Sequence, residues 1–384
     1  MGHDGRRGLA PSRRETLGLL GAAALAAPLA APLAAKAAEP DFPPGAVIRT
    51  LLKDYAPAEL AGGATLFHEH MSLRDGFMVD WMRHAGETRA ATQAPGAPPR
   101  PPGAPGGGGA AAPAPNFLLD EDLMADEMAI ARREGIGCIV DAGHPDMGRD
   151  VAFLRRISQR SGLPIVASAG FYTQPFYPAE LGAWSEDRVV EEIMKQVRAN
   201  PTGALGEIGA WDDITKDERK VFRAVGRVHR LTNLPIFTHT GIPGKSALEQ
   251  LDILEDAGVD PRRVVIGHLG NLADPNTEVQ RAIIRRGAFI GFDRQGGAGD
   301  APVVSMAASL IAQGYADHLM FSSDLSSPRE IKRNNPTGGG YAKTLTVFAP
   351  KLKAAGVSDA DLHTILYDNP RRFLAFVPKI RRTA

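Results

Sequence analysis

Cysteine is nearly absent from this 384-residue chain: Cys138 stands alone, which excludes an intrachain disulfide and a cysteine-rich zinc site. Inside the run Ile136-Gly-Cys-Ile-Val140 its simplest place is the core. A charge excess of either sign is also missing. The 44 basic side chains balance 44 acidic ones, so nothing draws the chain to nucleic acid or to an anionic membrane. Nor is there an apolar run built to stay in a bilayer. Leu17 to Leu33 is weakly apolar and Ala-rich, and Pro28 and Pro32 interrupt it. What these absences leave is a soluble, enzyme-sized chain in which any metal must be held by His and carboxylates.

Residues 1–38 are set apart by composition. Arg6, Arg7, Arg13 and Arg14 make a basic start, the Ala-rich run follows, and Ala35-Lys36-Ala37 offers a cleavage site. Ser12-Arg-Arg-Glu-Thr-Leu17 is close to a twin-arginine signal, although Thr16 replaces the usual aromatic residue and Gly18 the usual lysine. The expectation is export to the periplasm or beyond, an ordinary secretory signal being the alternative. A folded domain is expected over 46–380, opening with a small hairpin near Ala46 to Leu52. Within it, residues 85–116 are almost wholly Pro, Gly, Ala, Thr and Arg and are expected to carry no secondary structure. The flanking Phe77, Met78, Trp81 and Met82 are expected to be ordered.

The chain is organised around Ala64-Thr-Leu-Phe-His-Glu-His70. In a β-strand successive side chains alternate faces, so His68 and His70 share one face and Glu69 takes the other. Alone, such a pair also fits two solvated histidines. Four further potential ligands, however, end short apolar runs downstream: Glu207 in Gly203-Ala-Leu-Gly-Glu-Ile-Gly209, His239 in Leu234-Pro-Ile-Phe-Thr-His-Thr240, His268 in Arg263-Val-Val-Ile-Gly-His268, and Asp324 in Leu319-Met-Phe-Ser-Ser-Asp324.

The spacing of these runs matches repeated βα units. Glu207 to His239 spans 32 residues, His239 to His268 spans 29, and His268 to Asp324 spans 56, which is two units with a strand ending at Asp293 between them. Eight strands alternating with eight crossover helices predict a (β/α)8 TIM barrel, whose strand C-termini open on one face where active sites sit. Four His and two carboxylates gathered at that mouth carry a cost in desolvation and repulsion unless a cation compensates them. The expected cofactor is a pair of divalent metal ions, zinc, manganese or cobalt.

His68-Glu-His70, Glu207-Ile-Gly209, Thr238-His-Thr240, Ile266-Gly-His-Leu-Gly270 and Ser323-Asp324 together resemble the motif set of the phosphotriesterase family within the amidohydrolase superfamily. The resemblance runs from about Val47 to Phe376 and takes in Ile214-Thr-Lys-Asp217, Ala257-Gly-Val-Asp-Pro261 and Asp368-Asn-Pro370. It implies one metal on His68, His70 and Asp324, a second on His239 and His268, and Glu207 bridging both. Many members bridge with a carbamylated lysine; a glutamate there resembles the phosphotriesterase homology proteins.

A metal pair would activate water and polarise a P=O or C=O group, with Asp324 as acceptor of the water's proton or as ligand only. The expected substrate is a small ester, lactone or phosphotriester. An amidase or deacylase of N-acyl compounds, or an inert metal-containing binding protein, are the alternatives. Gly291-Phe-Asp-Arg294 with Tyr172 resembles the pocket of phosphotriesterase-like lactonases. Arg294, Tyr172, Phe176 and Tyr177 are therefore expected at the substrate mouth, with an Asp293–Arg294 ion pair at the barrel rim as the structural alternative. No nucleic acid or stable membrane insertion is expected, and a homodimer is left open.

Overall fold

Each apolar run becomes a parallel strand because a capped amphipathic helix follows it and returns the chain to the same end of the sheet. The computed structural model describes residues 1–2, 39–92, 116–241, 246–272, 274, 276–325 and 327–379, and the fold lies in the unit Ala38–Ala384. The expected export signal falls outside the described residues.

A short antiparallel hairpin, β1 (Ile48–Arg49) and β2 (Asp54–Tyr55), precedes eight parallel strands: β3 (Ala64–Glu69), β4 (Ile136–Asp141), β5 (Ile165–Ala169), β6 (Thr202–Ala210), β7 (Ile236–Thr240), β8 (Val264–Ile266), β9 (Phe289–Phe292) and β10 (Leu319–Phe321). Each pairs with the next in chain order, so no strand exchange interrupts the sheet. Phe67, Val140, Val166, Ala204, Phe237, Val265, Phe289 and Met320, one from every strand, pack together as the interior. Alternate residues such as Leu66, Ile139, Ile165, Leu205, Ile236, Ile266, Ile290 and Phe321 face the helices. Interior packing of this kind identifies the expected (β/α)8 barrel.

The seam between β3 and β10 is closed by side chains. Ser322 Oγ accepts the His68 N–H at 3.0 Å and lies 2.8 Å from both the His68 carbonyl and Glu69 Oε1. The Glu69 carboxylate also accepts the Ser323 and Leu325 N–H groups, and Asp324 N–H donates to the His68 carbonyl. Burial pushes the Glu69 carboxyl up to about 7 against these donors.

Of the surrounding helices the first is α1 (Phe77–Thr92), discussed below. The next four each start at a side-chain cap that the sequence provides. Asp120 and Asp150 accept from the backbone at the starts of α2 (Glu121–Arg133) and α3 (Val151–Ser161), and Ser185 does the same for α4 (Glu186–Ala199). Thr215 and Glu218 form a capping box that opens α5 (Lys216–Thr232). After α6 (Ala247–Asp256), α7 (Glu278–Arg285) and α8 (Ala301–Ala312), helical stretches from Thr344 to Ala354 and from Asp359 to Leu374 complete the ring.

One expectation fails here. The low-complexity stretch does not begin structureless at Ala85, because α1 continues through Thr92. Phe77, Trp81 and Ala85 recur every four residues on its inner face, and Phe77 and Ala85 are fully buried. Helical periodicity prevailed over composition. At the other end Asn116 accepts from the Leu118 N–H and donates to the Leu73 carbonyl; residues 93–115 lie outside the described residues.

Candidate metal centre

Strict alternation alone would not aim the predicted ligands into one space. On β3, Phe67 faces the interior, yet the neighbouring His68 ring also touches the interior Phe67 and Phe237 rings at centroid distances of 5.7 and 5.5 Å. A register shift between Leu66 and Glu69 lets two successive residues point inward. Likewise on β6, Ala204 is interior and Glu207 would face the helices, but a shift between Leu205 and Ile208 turns it back. A Cβ on Gly206 would lie 2.3 Å from the Phe237 carbonyl oxygen, so only glycine fits before Glu207. His268 and Asp324 lie beyond the ends of β8 and β10 with φ of 61° and 44°, left-handed conformations that only surrounding contacts make tenable for such residues. His239 needs no device, since it follows the interior Phe237 by two.

All six predicted ligands meet. Glu207 Oε1 lies 3.1 Å from His70 Nε2, and Oε2 lies 3.1, 2.9 and 3.6 Å from His68 Nε2, His239 Nδ1 and His268 Nε2. Asp324 Oδ1 is 3.4 Å from His70 Nε2. Among the described residues three donor groups are tight enough for an ion: His68, His70 and Glu207; Glu207, His239 and His268; and His68, His268 and Asp293. Glu207 is common to the first two. Asp293 belongs to a ligand-like group as well, with Oδ1 accepting from His268 Nδ1 at 2.6 Å and Oδ2 accepting the His268 N–H at 3.2 Å. That contact orients the imidazole and leaves Nε2 facing Glu207.

The charges fit a cation. Burial works to raise Glu207, but the His68 and His239 rings hold it well below the usual carboxylate range. Burial likewise opposes Asp324, and Arg294 and His70 hold it well below. Against burial, hydrogen bonds with Asp324 and Glu207 hold His70 well above its usual value, so a proton sits where the carboxylates call for positive charge. Burial and the neighbouring His268 push His239 down to about 3, leaving a neutral ring whose one lone pair faces either Glu207, 2.9 Å from Nδ1, or the Tyr172 hydroxyl, 3.1 Å from Nδ1 and 3.3 Å from Nε2. Both His68 ring nitrogens and His70 Nδ1 are buried without a hydrogen-bond partner, and His268 Nε2 abuts His239 Nδ1 at 2.8 Å. Converging, unsatisfied imidazoles beside ionised carboxylates are the donor chemistry of a divalent ion, which would take the place of the His70 proton.

The mouth differs from expectation. A cleft of about 360 Å³ is lined by His70, Glu207, Tyr172, Arg294 and Asp324 on one side and by Leu73, Phe77, Met78, Trp81 and Met147 on the other. Phe176 and Tyr177 do not line it: Phe176 packs behind Phe77 and Tyr172, and Tyr177 lies against Phe171. The apolar wall comes instead from α1. Its signal was present in Phe77, Met78 and Trp81 at helical spacing directly after the histidine strand. Arg294 does not pair with Asp293; its Nε donates to Asp324 Oδ2 at 2.7 Å and its φ is 62°.

Behind Tyr172, Asp146 Oδ2 accepts the Tyr172 N–H at 2.8 Å, while Oδ1 is buried without a partner. Burial pushes this carboxyl up to about 7 from the usual 3.8, against backbone N–H groups and Arg149. An acid raised in the folded state has no effect on stability while both states are protonated and becomes destabilising as pH rises between its unfolded and folded values. Asp146→Asn keeps the acceptor and removes the titration. The melting temperature of this variant relative to wild type is expected to climb between about pH 4 and 7 and then level off. A difference that stays flat across thermal scans from pH 4 to 8 would refute this.

The phosphotriesterase family pattern matches residues 48–374. The phosphotriesterase homology protein of Escherichia coli is 31% identical over 260 residues, covering 65% of this chain and 87% of the relative. An aryldialkylphosphatase of Saccharolobus solfataricus is 30% identical over 266 residues, 65% and 84% of the two chains. An N-acetyltaurine hydrolase of Xenopus tropicalis is 24% identical over 350 residues, 86% and 98%. Among solved structures, the E. coli homology protein complexed with phosphate in its active site aligns with a TM-score of 0.68 at 26% identity, over 82% of this chain and 99% of that one. With the barrel, the converging ligands and these similarities together, the chain belongs to the phosphotriesterase family.

Proposed function

We propose that this protein is a metal-dependent hydrolase that cleaves carboxyl esters and lactones in preference to phosphotriesters. The observation that carries the reading is Glu207, an ionised carboxylate set among four imidazoles and shared by two donor groups. His68, His70 and Asp324 would hold one ion and His239 and His268 the other, with Glu207 between them. The ions would supply Lewis acidity and lower the pKa of water.

The chain's own side chains do the rest. Asp324, ionised and 3.4 Å from His70, is placed to accept a proton from the attacking water. Asp293 fixes the His268 ring, and α1 shields the cleft from bulk water on its apolar side. The cleft has a polar wall that carries the ligand set and an apolar wall facing it. A carbonyl centre brings two substituents into that space and a phosphotriester three, so the carbonyl centre is the less crowded one there.

Amide hydrolysis is the second reading. It is favoured by the N-acetyltaurine hydrolases, one of which aligns along 98% of its length. Metal-reconstituted protein assayed on a compact lactone, an aryl carboxyl ester, an aryl phosphotriester and an N-acyl amino acid separates the two. Lactone or ester kcat/KM is expected to exceed the phosphotriester value by at least about tenfold, roughly 1.4 kcal/mol of transition-state binding. A tenfold preference for the phosphotriester, or for the N-acyl amino acid, would replace this reading.

A further inference from the structure

We propose that Trp81, on the helix leading into the low-complexity insertion, is a positioning residue that aims two hydrogen-bond donors, the Tyr172 hydroxyl and the Arg294 guanidinium, at acceptor oxygens of the substrate. The inference rests on the cleft being the substrate site. Trp81 Nε1–H donates to the Tyr172 hydroxyl oxygen at 2.8 Å. Indole nitrogen can only donate, so the Tyr172 oxygen accepts there, while its O–H lies beside the His239 ring, 3.1 Å from Nδ1 and 3.3 Å from Nε2; with the His239 lone pair given to an ion, that O–H would be free to turn to a substrate oxygen. The same indole ring lies under the Arg294 guanidinium, 5.6 Å from its carbon to the ring centroid.

Arg294 spends Nε on Asp324 and brings a second nitrogen within 3.0 Å of His268 Nε2, but its Nη1 is buried with no hydrogen-bond partner. Both Arg294 and Tyr172 line the cleft. A buried guanidinium N–H without an acceptor is costly, and a ligand oxygen in the cleft would relieve that cost. Trp81 is itself braced, with the Trp211 ring 5.7 Å away and the His84 ring 4.8 Å beyond, against Trp211. The preferred ligand is therefore a compact molecule rich in acceptor oxygens, a lactone, an acyl compound with an anionic head, or a tetrahedral oxyanion.

Inorganic phosphate is the probe, since its oxygens can accept from these donors and its binding is read without turnover. Calorimetric titration of metal-reconstituted wild type, Trp81→Phe, Trp81→Leu, Tyr172→Phe and the Trp81→Phe/Tyr172→Phe double variant is compared with kcat and KM on the best substrate. Trp81→Leu, losing both contacts, is expected to raise the phosphate Kd and the KM about tenfold with metal content unchanged. Trp81→Phe keeps a ring under Arg294 and is expected to show a smaller loss, which disappears in the Tyr172→Phe background because the phenol it acts on is gone. Phosphate binding and KM within twofold of wild type in Trp81→Leu would overturn the proposal. So would fully additive losses in the double variant, or wild type that fails to bind millimolar phosphate. If phosphate binding depends on Trp81 in this way but no ester, lactone or amide is turned over, the proposed function falls and this inference stands.

Discussion

Glu207→Ala is expected to empty the centre of metal and to reduce turnover on the order of 10³-fold or more. Loss of a partner that merely orients a ligand already costs about 10–100-fold in affinity or activity, and Glu207 is a shared donor rather than an orienting one. It lies within 3.6 Å of a ring nitrogen on each of His68, His70, His239 and His268 and belongs to two donor groups, so its removal takes away the one carboxylate that reaches all four imidazoles. Metal content by elemental analysis and kcat/KM are expected to fall together, while circular dichroism stays native. Because a carboxylate is already in place, reconstitution of the metal-free protein is expected to be indifferent to bicarbonate. A variant that retains two ions and activity within tenfold of wild type, or a wild type that requires bicarbonate, would show that Glu207 does not bridge.

Asp324→Asn separates ligation from proton transfer. Asparagine preserves the shape of the side chain and tolerates the left-handed φ of 44° better than most residues, so the backbone has little reason to move. It cannot accept a proton from water at neutral pH. If Asp324 is the acceptor, kcat is expected to drop by about 10²–10⁴ while KM and most of the metal are retained. A residue that only ligates would lose metal in step with activity, and excess metal in the assay would restore the rate. Measuring both quantities on one preparation distinguishes the two outcomes.

Much of the barrel was legible because its signals are local. The run Ile136–Asp141 and the stretch Glu186–Ala199 have the boundaries their composition and caps dictate, and the Thr215-Lys-Asp-Glu218 pattern opens its helix as a capping box. The six ligand candidates were legible for a different reason: parallel topology carries every strand end to one face, whatever the loops do. How they are aimed was not legible. The shifts in β3 and β6 depend on pairing with neighbouring strands, and a strand read alone shows only strict alternation. The substrate wall was missed because Phe77, Met78 and Trp81, though expected to be ordered, belong to a helix in the loop after the first barrel strand, and its position over the mouth is set by tertiary packing rather than by any local signal. The ion pair of Asp293 with Arg294, held as the alternative to a place for Arg294 at the mouth, rested on adjacency in sequence alone; a turn beyond β9 sends Asp293 to His268 and Arg294 to Asp324, in the cleft lining.

The side-chain seam between β3 and β10 orders events in time. Ser322 meets the His68 backbone across 254 positions of sequence, one of the longest separations in the chain, and Glu69 gathers the Ser323 and Leu325 N–H groups in the same place. Loop closure over such a span is slow, and during synthesis it must wait until the last strand has left the ribosome. Asp324 reaches His70 only when that closure is made. A nascent chain can therefore gather five of the six ligands from β3 to β8 but cannot complete the set, so the finished centre reports that the barrel has closed.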